Sequence, residues 1–134
     1  MIPALLDTDT LSLLRRQHPG VSANYSLYVQ QFGQLTFSEI SFYEVTRSLK
    51  TIHATAQLAI FEQFCQHHRI LPFTHAAAVR AADIWADLKQ RGQLIGEMDV
   101  LIAGVALSDG LAVVSRNTRH FGRIAGLTVV DWTT

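Results

Sequence analysis

The sequence predicts an α/β fold in which short parallel strands alternate with helices. Three observations carry that expectation. Five brief apolar runs stand apart, at Ile2–Leu6, Leu35–Phe37, Ile70–Phe73, Leu111–Val114 and Leu127–Val130. Each is bounded by turn or capping residues, and almost every interval between them has room for at least one helix, as parallel strands require. The composition, 49% hydrophobic and 16% charged over 134 residues, is that of an ordinary globular domain with one core rather than of a disordered chain.

Taken in order, the first run ends at Asp7, and Thr8 or Thr10 is placed to cap a helix reaching Arg16, before the break expected at Pro19-Gly20. Ser22 opens a second helix, stopped by Gly33. After the second strand, Ser41 opens a third helix toward Lys50, with Glu44 in its first turn. Ala54 to His67 places Leu58, Phe61, Phe64 and Cys65 at three- and four-residue spacing, the stripe of an amphipathic helix. Thr74 caps a long segment through Arg91, closed by Gly92. Met98 to Leu107 is nearly all apolar and predicts a buried helix before the fourth strand. Ser115 to Gly126 leaves space for only one short helix. No linker, repeat or low-complexity segment interrupts the chain, so residues 1–134 are expected to form a single domain.

Composition narrows the function. Eleven basic and eleven acidic residues cancel, so any grip on nucleic acid has to come from local patches. Cys65 is the only cysteine and has no partner in the chain, which points to a reducing cytoplasm. The start, Met1-Ile2-Pro3-Ala4-Leu5-Leu6, lacks the basic opening of a secretion signal, and no stretch approaches a membrane span. His67 and His68 are adjacent on a helix and face different ways, so a histidine–cysteine metal site is not expected.

Three carboxylates fall where an open parallel sheet builds its site, outside the carboxyl ends of its strands. Asp7 follows the first strand, Glu44 starts the helix after the second, and Asp99 opens the buried helix before the fourth. Ser115 and Asn117, just after the fourth strand, add a hydroxyl and an amide oxygen. These are hard oxygen donors, suited to Mg²⁺ or Mn²⁺ and unsuited to zinc. Each has an innocent alternative. Ser41-x-x-Glu44 reads as a capping box, Asp99 as a dipole-matching first-turn acid, and Asp7 or Asp9 as a cap. Three such coincidences at one sheet edge favour a site. Asp83 and Asp87, beside Arg80, Lys89 and Arg91, read as solvated charges, and Tyr25, Tyr28 and Phe32 as core and dimer surface rather than a base-stacking platform.

The ordered set Leu5-Leu6-Asp7-Thr8-Asp9, Ser41-Phe42-Tyr43-Glu44-Val45, Ile95-Gly96 with Asp99-Val100-Leu101-Ile102-Ala103, and Ser115-Arg116-Asn117 with His120-Phe121 and Gly126-Leu127 resembles the PIN-domain nucleases. Its length and spacing resemble the VapC-like toxin ribonucleases of toxin–antitoxin pairs over the whole chain. The resemblance implies a three-layer fold with a five-stranded parallel sheet flanked by helices, a site for Mg²⁺ or Mn²⁺, endonucleolytic cleavage of RNA by metal-assisted hydrolysis, a homodimer, and an antitoxin that occupies the site. Position by position it makes Asp7, Glu44 and Asp99 the metal-binding acids, with Asn117 where many members carry a fourth acid. Ser48 and Ser115 stand for a frequent glycine and threonine. Asp9 and Ser115 are expected to support the site, and Arg47, Arg116, Arg119 and His120 to contact phosphates.

Two other functions fit parts of the pattern. Asp7-Thr8-Asp9-Thr10 after an apolar strand is similar to the signature of haloacid-dehalogenase-type phosphatases, with Asp7 as nucleophile. A degenerate domain that only binds RNA or a protein partner is the second.

Overall fold

The computed structural model describes residues 1–134. Its elements run β1 (Ala4–Leu6), α1 (Thr8–Arg15), α2 (Pro19–Phe32), β2 (Thr36–Ser38), α3 (Glu39–Thr51), α4 (Thr55–Cys65), β3 (Arg69–Leu71), α5 (His75–Gln90), α6 (Glu97–Ser108), β4 (Ala112–Val114), α7 (Thr118–Phe121) and β5 (Val129–Val130). The strands form one five-stranded sheet in the order β3-β2-β1-β4-β5, and every pairing is parallel. All five expected strands are present; four are shorter than their apolar runs, and β2 matches its run in length but is shifted one residue toward the carboxyl end. Ile2 lies half-exposed outside β1, and Pro72, which has no N–H for a ladder, follows the end of β3.

Side-chain alternation along the strands separates the core into two layers, one on each face of the sheet. Leu5 and Val113 pack with α5 and α6, through Ala77, Ala81, Leu88, Ile102 and Val105. Ala4, Leu6, Ala112 and Val114 point the other way, into Leu11, Val21, Phe37, Phe61 and Trp132. With the helices on both faces, this is the expected three-layer arrangement. Helix α6 is buried along most of its length and lies hard against α5. A Cβ built on Gly104 would stand 2.7 Å from the Ala77 carbonyl oxygen and 2.9 Å from the Ala81 Cβ. That close approach requires glycine.

The helix starts depart from expectation in three places. Asp7 caps α1, its Oδ1 accepting from the Thr10 N–H at 2.8 Å, so neither Thr8 nor Thr10 is the cap. Helix α2 begins at Pro19, with His18 as its cap, three residues before Ser22. Proline has no N–H to lose at the first helical position and its φ already suits a helix, so it starts this helix after α1 has ended. Helix α3 begins at Glu39 with Ser38 as its cap, which removes Ser41 from the capping position and moves Glu44 into the second turn.

Candidate active site

The chain leaves β1 toward one edge of the sheet and later returns through β4 beside β1, so the strand order reverses between these two central strands. At such a reversal the connections diverge above and below the sheet and open a crevice at the strand carboxyl ends. A cavity of about 610 Å³ lies there, lined by Asp7, Thr8, Asp9, Glu44, Asp99, Arg116 and Asn117, none of them hydrophobic. The backbone clamps its floor: Asp7 N–H donates to the Val114 carbonyl and Ser115 N–H to the Val130 carbonyl. The three acids singled out in the sequence thus reach one cavity from β1, α3 and α6.

Asp7 is buried, 3% exposed. Its removal from water raises its pKa above the ordinary value, against hydrogen bonds from Ser115 and Thr10 that favour the charged form. Asp99, in the first turn of α6, is pushed up to about 6, first by burial and then by the nearby negative charges of Asp7, Glu44 and Asp9. Glu44 accepts a 2.6 Å hydrogen bond from the Thr8 hydroxyl. Its other oxygen lies 3.7 Å from Arg47.

The remaining expected residues divide. Asn117 lines the cavity, and its Nδ2 donates to His120 Nδ1 at 2.9 Å, leaving Oδ1 free to ligate. Ser115 is fully buried, and its Oγ accepts from the Asn117 N–H. Asp9 is taken by Arg116 in a two-pronged pair of 2.7 and 3.2 Å, so Asp9 is no cap, and Arg116 already has an acidic partner. Arg47 stacks on the exposed Tyr43 ring, 5.0 Å from its centroid, at the Glu44 edge. Of the four expected phosphate contacts only Arg116 lines the cavity; Arg47, Arg119 and His120 do not. Thr8, weighed from the sequence only as a helix cap, does. Its partner Glu44 is 36 residues away, a pairing no local pattern reveals. Tyr28 is a core residue whose hydroxyl bonds Ala4, and Tyr25 lines an apolar groove beside Phe61 and Phe64. Cys65 is half-buried on α4, and burial pushes its thiol up to about 11.

The lining accounts for what the cavity can hold. Four carboxylates face a single guanidinium, an excess of negative charge that a divalent cation relieves. As placed, no three acidic, histidine or cysteine side chains come close enough together to grip an ion directly, so an ion here would be held partly through water. An open, oxygen-lined space fits a Mg²⁺-like ion that keeps several waters, and does not fit a tightly caged zinc.

An open parallel sheet with a crevice of four carboxylates at its reversal point places the chain among the α/β proteins whose site lies at the strand carboxyl ends, with a lining suited to a hard cation. More specifically, the chain matches the PIN domain over residues 4–127 and belongs to that family. It is 32% identical over 133 residues to the tRNA(fMet)-specific endonuclease VapC of Shigella flexneri, covering 98% of this chain and 99% of that protein. It is 31% identical over 133 residues to ribonuclease VapC2 of Haemophilus influenzae, covering 98% and 99%. Among solved structures, DNA-bound VapBC from Salmonella typhimurium aligns with a TM-score of 0.88 and 30% identity, over 98% of this chain and 99% of that one. The phosphatase alternative rests on an Asp-x-Asp-x-Thr signature, and in Asp7-Thr8-Asp9-Thr10-Leu11 the threonine position is held by the fully buried Leu11. That alternative also leaves Glu44 and Asp99 in the crevice without a role. No helix is long and apolar enough to cross a membrane.

Proposed function

We propose that residues 1–134 form one nuclease domain, a divalent-metal-dependent endoribonuclease acting as the toxin of a toxin–antitoxin pair. The observation that carries this reading is the convergence of Asp7, Glu44 and Asp99 on one polar cavity in a chain aligned end to end with VapC ribonucleases. Asp7, Glu44 and Asp99 hold the ion, Mg²⁺ or Mn²⁺, with Asn117 Oδ1 as a further oxygen donor. When bound, such an ion supplies Lewis-acid activation of water and neutralises charge on the phosphate.

The chain's own residues do the rest. Asp7 is pinned by the Thr10 N–H, so its position does not depend on substrate. Ser115 holds the Asn117 backbone, and His120 turns the Asn117 amide so that its oxygen is free. The acidic interior repels a phosphodiester unless basic groups stand near it; Arg116 in the lining and Arg47 beside Glu44 supply them, with Arg119 and His120 on α7 after Asn117. Arg116 has to loosen from Asp9 to meet a phosphate.

The likeness to VapBC supports an antitoxin protein as partner, and the homodimer is an expectation from the resemblance to VapC-like toxins alone. RNA cleavage and a lone, unpaired thiol suit the cytoplasm.

The test is incubation of the partner-free protein with structured RNA in Mg²⁺, in Mn²⁺ and in chelator. Internal cleavage that stops with chelator and with Asp7→Asn, Glu44→Gln or Asp99→Asn is expected. RNA binding without any cleavage would instead establish the degenerate binding domain.

A further inference from the structure

We infer that Thr8 is the positioning residue for Glu44, through a directed hydroxyl relay running from Ser41 to Thr8 to the Glu44 carboxylate. The inference rests on the reading of Glu44 as a metal-binding acid.

Thr8 Oγ1 lies 2.6 Å from Glu44 Oε1 and 3.0 Å from Ser41 Oγ. An ionised carboxylate only accepts, so the single Thr8 proton goes to Glu44. The Ser41 hydroxyl then has to donate to Thr8. Ser41 is fully buried and its side chain has no other hydrogen-bond partner, so that orientation is fixed by the cost of leaving a buried hydroxyl unpaired. The relay ties the first residue of α1 to the second turn of α3, joining the Asp7 and Glu44 arms of the cavity.

Glu44 has an alternative. Arg47, one turn along the same helix, lies 3.7 Å from Oε2. Both partners of that contact are on one partly exposed helix face, whereas Thr8 sits on a separate element whose start is fixed by the Asp7 cap. Holding Oε1 at Thr8 keeps the carboxylate aimed into the cavity instead of folding outward onto the guanidinium. Hydroxyls that orient ligating carboxylates typically change metal affinity by about 10- to 100-fold when removed.

The experiment is Mn²⁺ binding to the full chain without RNA, followed by the electron paramagnetic resonance of free Mn²⁺. Thr8→Val keeps the shape and deletes the hydroxyl, and is expected to raise the Mn²⁺ dissociation constant about 10-fold or more. Thr8→Ser should restore binding to near wild type. Ser41→Ala, which leaves Thr8 in place but undirected, should show a smaller loss and serves if the Val variant does not fold. Val binding as tightly as wild type, or Ser weakened as much as Val, overturns the relay. Glu44→Gln sets the reference: if it binds Mn²⁺ as wild type does, Glu44 is no ligand and the reading beneath the inference fails, separately from the relay.

Discussion

Replacing Asp99 by asparagine should make the protein more stable and inactive at once. The Asp99 carboxyl is moved from its ordinary 3.8 to about 6 by burial and by the charges of Asp7, Glu44 and Asp9. At about 1.4 kcal/mol per pH unit, that displacement corresponds to ~3 kcal/mol of strain on the charged form. Asp99 is only half-buried, and water screening reduces the figure to about 1–2 kcal/mol. The folded state holds the Asp99 proton to a higher pH than the unfolded chain does. Below pH 3.8 both states are protonated and nothing is lost; between 3.8 and about 6 stability falls as pH rises; above 6 the whole penalty is present. Asparagine is neutral throughout, so its advantage should be full at pH 7.5, smaller at pH 5 and absent near pH 4. For a chain of this length, 1–2 kcal/mol corresponds to a rise in melting temperature of roughly 3–7 °C. Thermal unfolding followed by circular dichroism in chelator reads this directly. Saturating Mg²⁺ should shrink or invert the difference, because only the wild type gains from the ion. An asparagine variant that melts at or below wild type in chelator at pH 7.5, or whose advantage does not shrink at pH 5, would refute the account of Asp99 as an electrostatically strained group.

Two further substitutions separate structure from chemistry. Asp7→Asn keeps a good cap on α1 and removes a buried charge, so the melting temperature should hold or rise while cleavage is abolished, whereas Asp7→Ala should lose about 1 kcal/mol relative to Asp7→Asn, read from urea midpoints. Gly104→Ala forces a methyl against the Ala77 carbonyl and the Ala81 side chain. It should cost about 1–3 kcal/mol by overpacking, and a urea midpoint equal to wild type would show that α5 and α6 can separate freely.

The strands were legible because each apolar run is punctuated, and the meeting of Asp7, Glu44 and Asp99 in one cavity because a strand end or an early helix turn puts each at the same edge of the sheet. What stayed hidden is long-range. Pro19 looks like a barrier only until His18 is seen capping the helix that proline begins. Ser41 and Glu44 have capping-box spacing, but Ser38 holds the cap, and Ser41 turns instead to Thr8 on another element. Arg116, marked from its position for phosphates, is paired with Asp9 across 107 residues. Local patterns fix backbone geometry within a turn or two, while such side-chain partnerships depend on the assembled sheet.

The placement of β1 at the middle of the sheet sets the moment at which the acidic crevice can form. β1 is made first, yet one of its two neighbours, β4, is not complete until residue 114. A chain still emerging from the ribosome therefore carries Asp7 and Glu44 without the wall that closes over them. Completion of the crevice is thus built into the strand order, and it waits for the final fifth of these 134 residues.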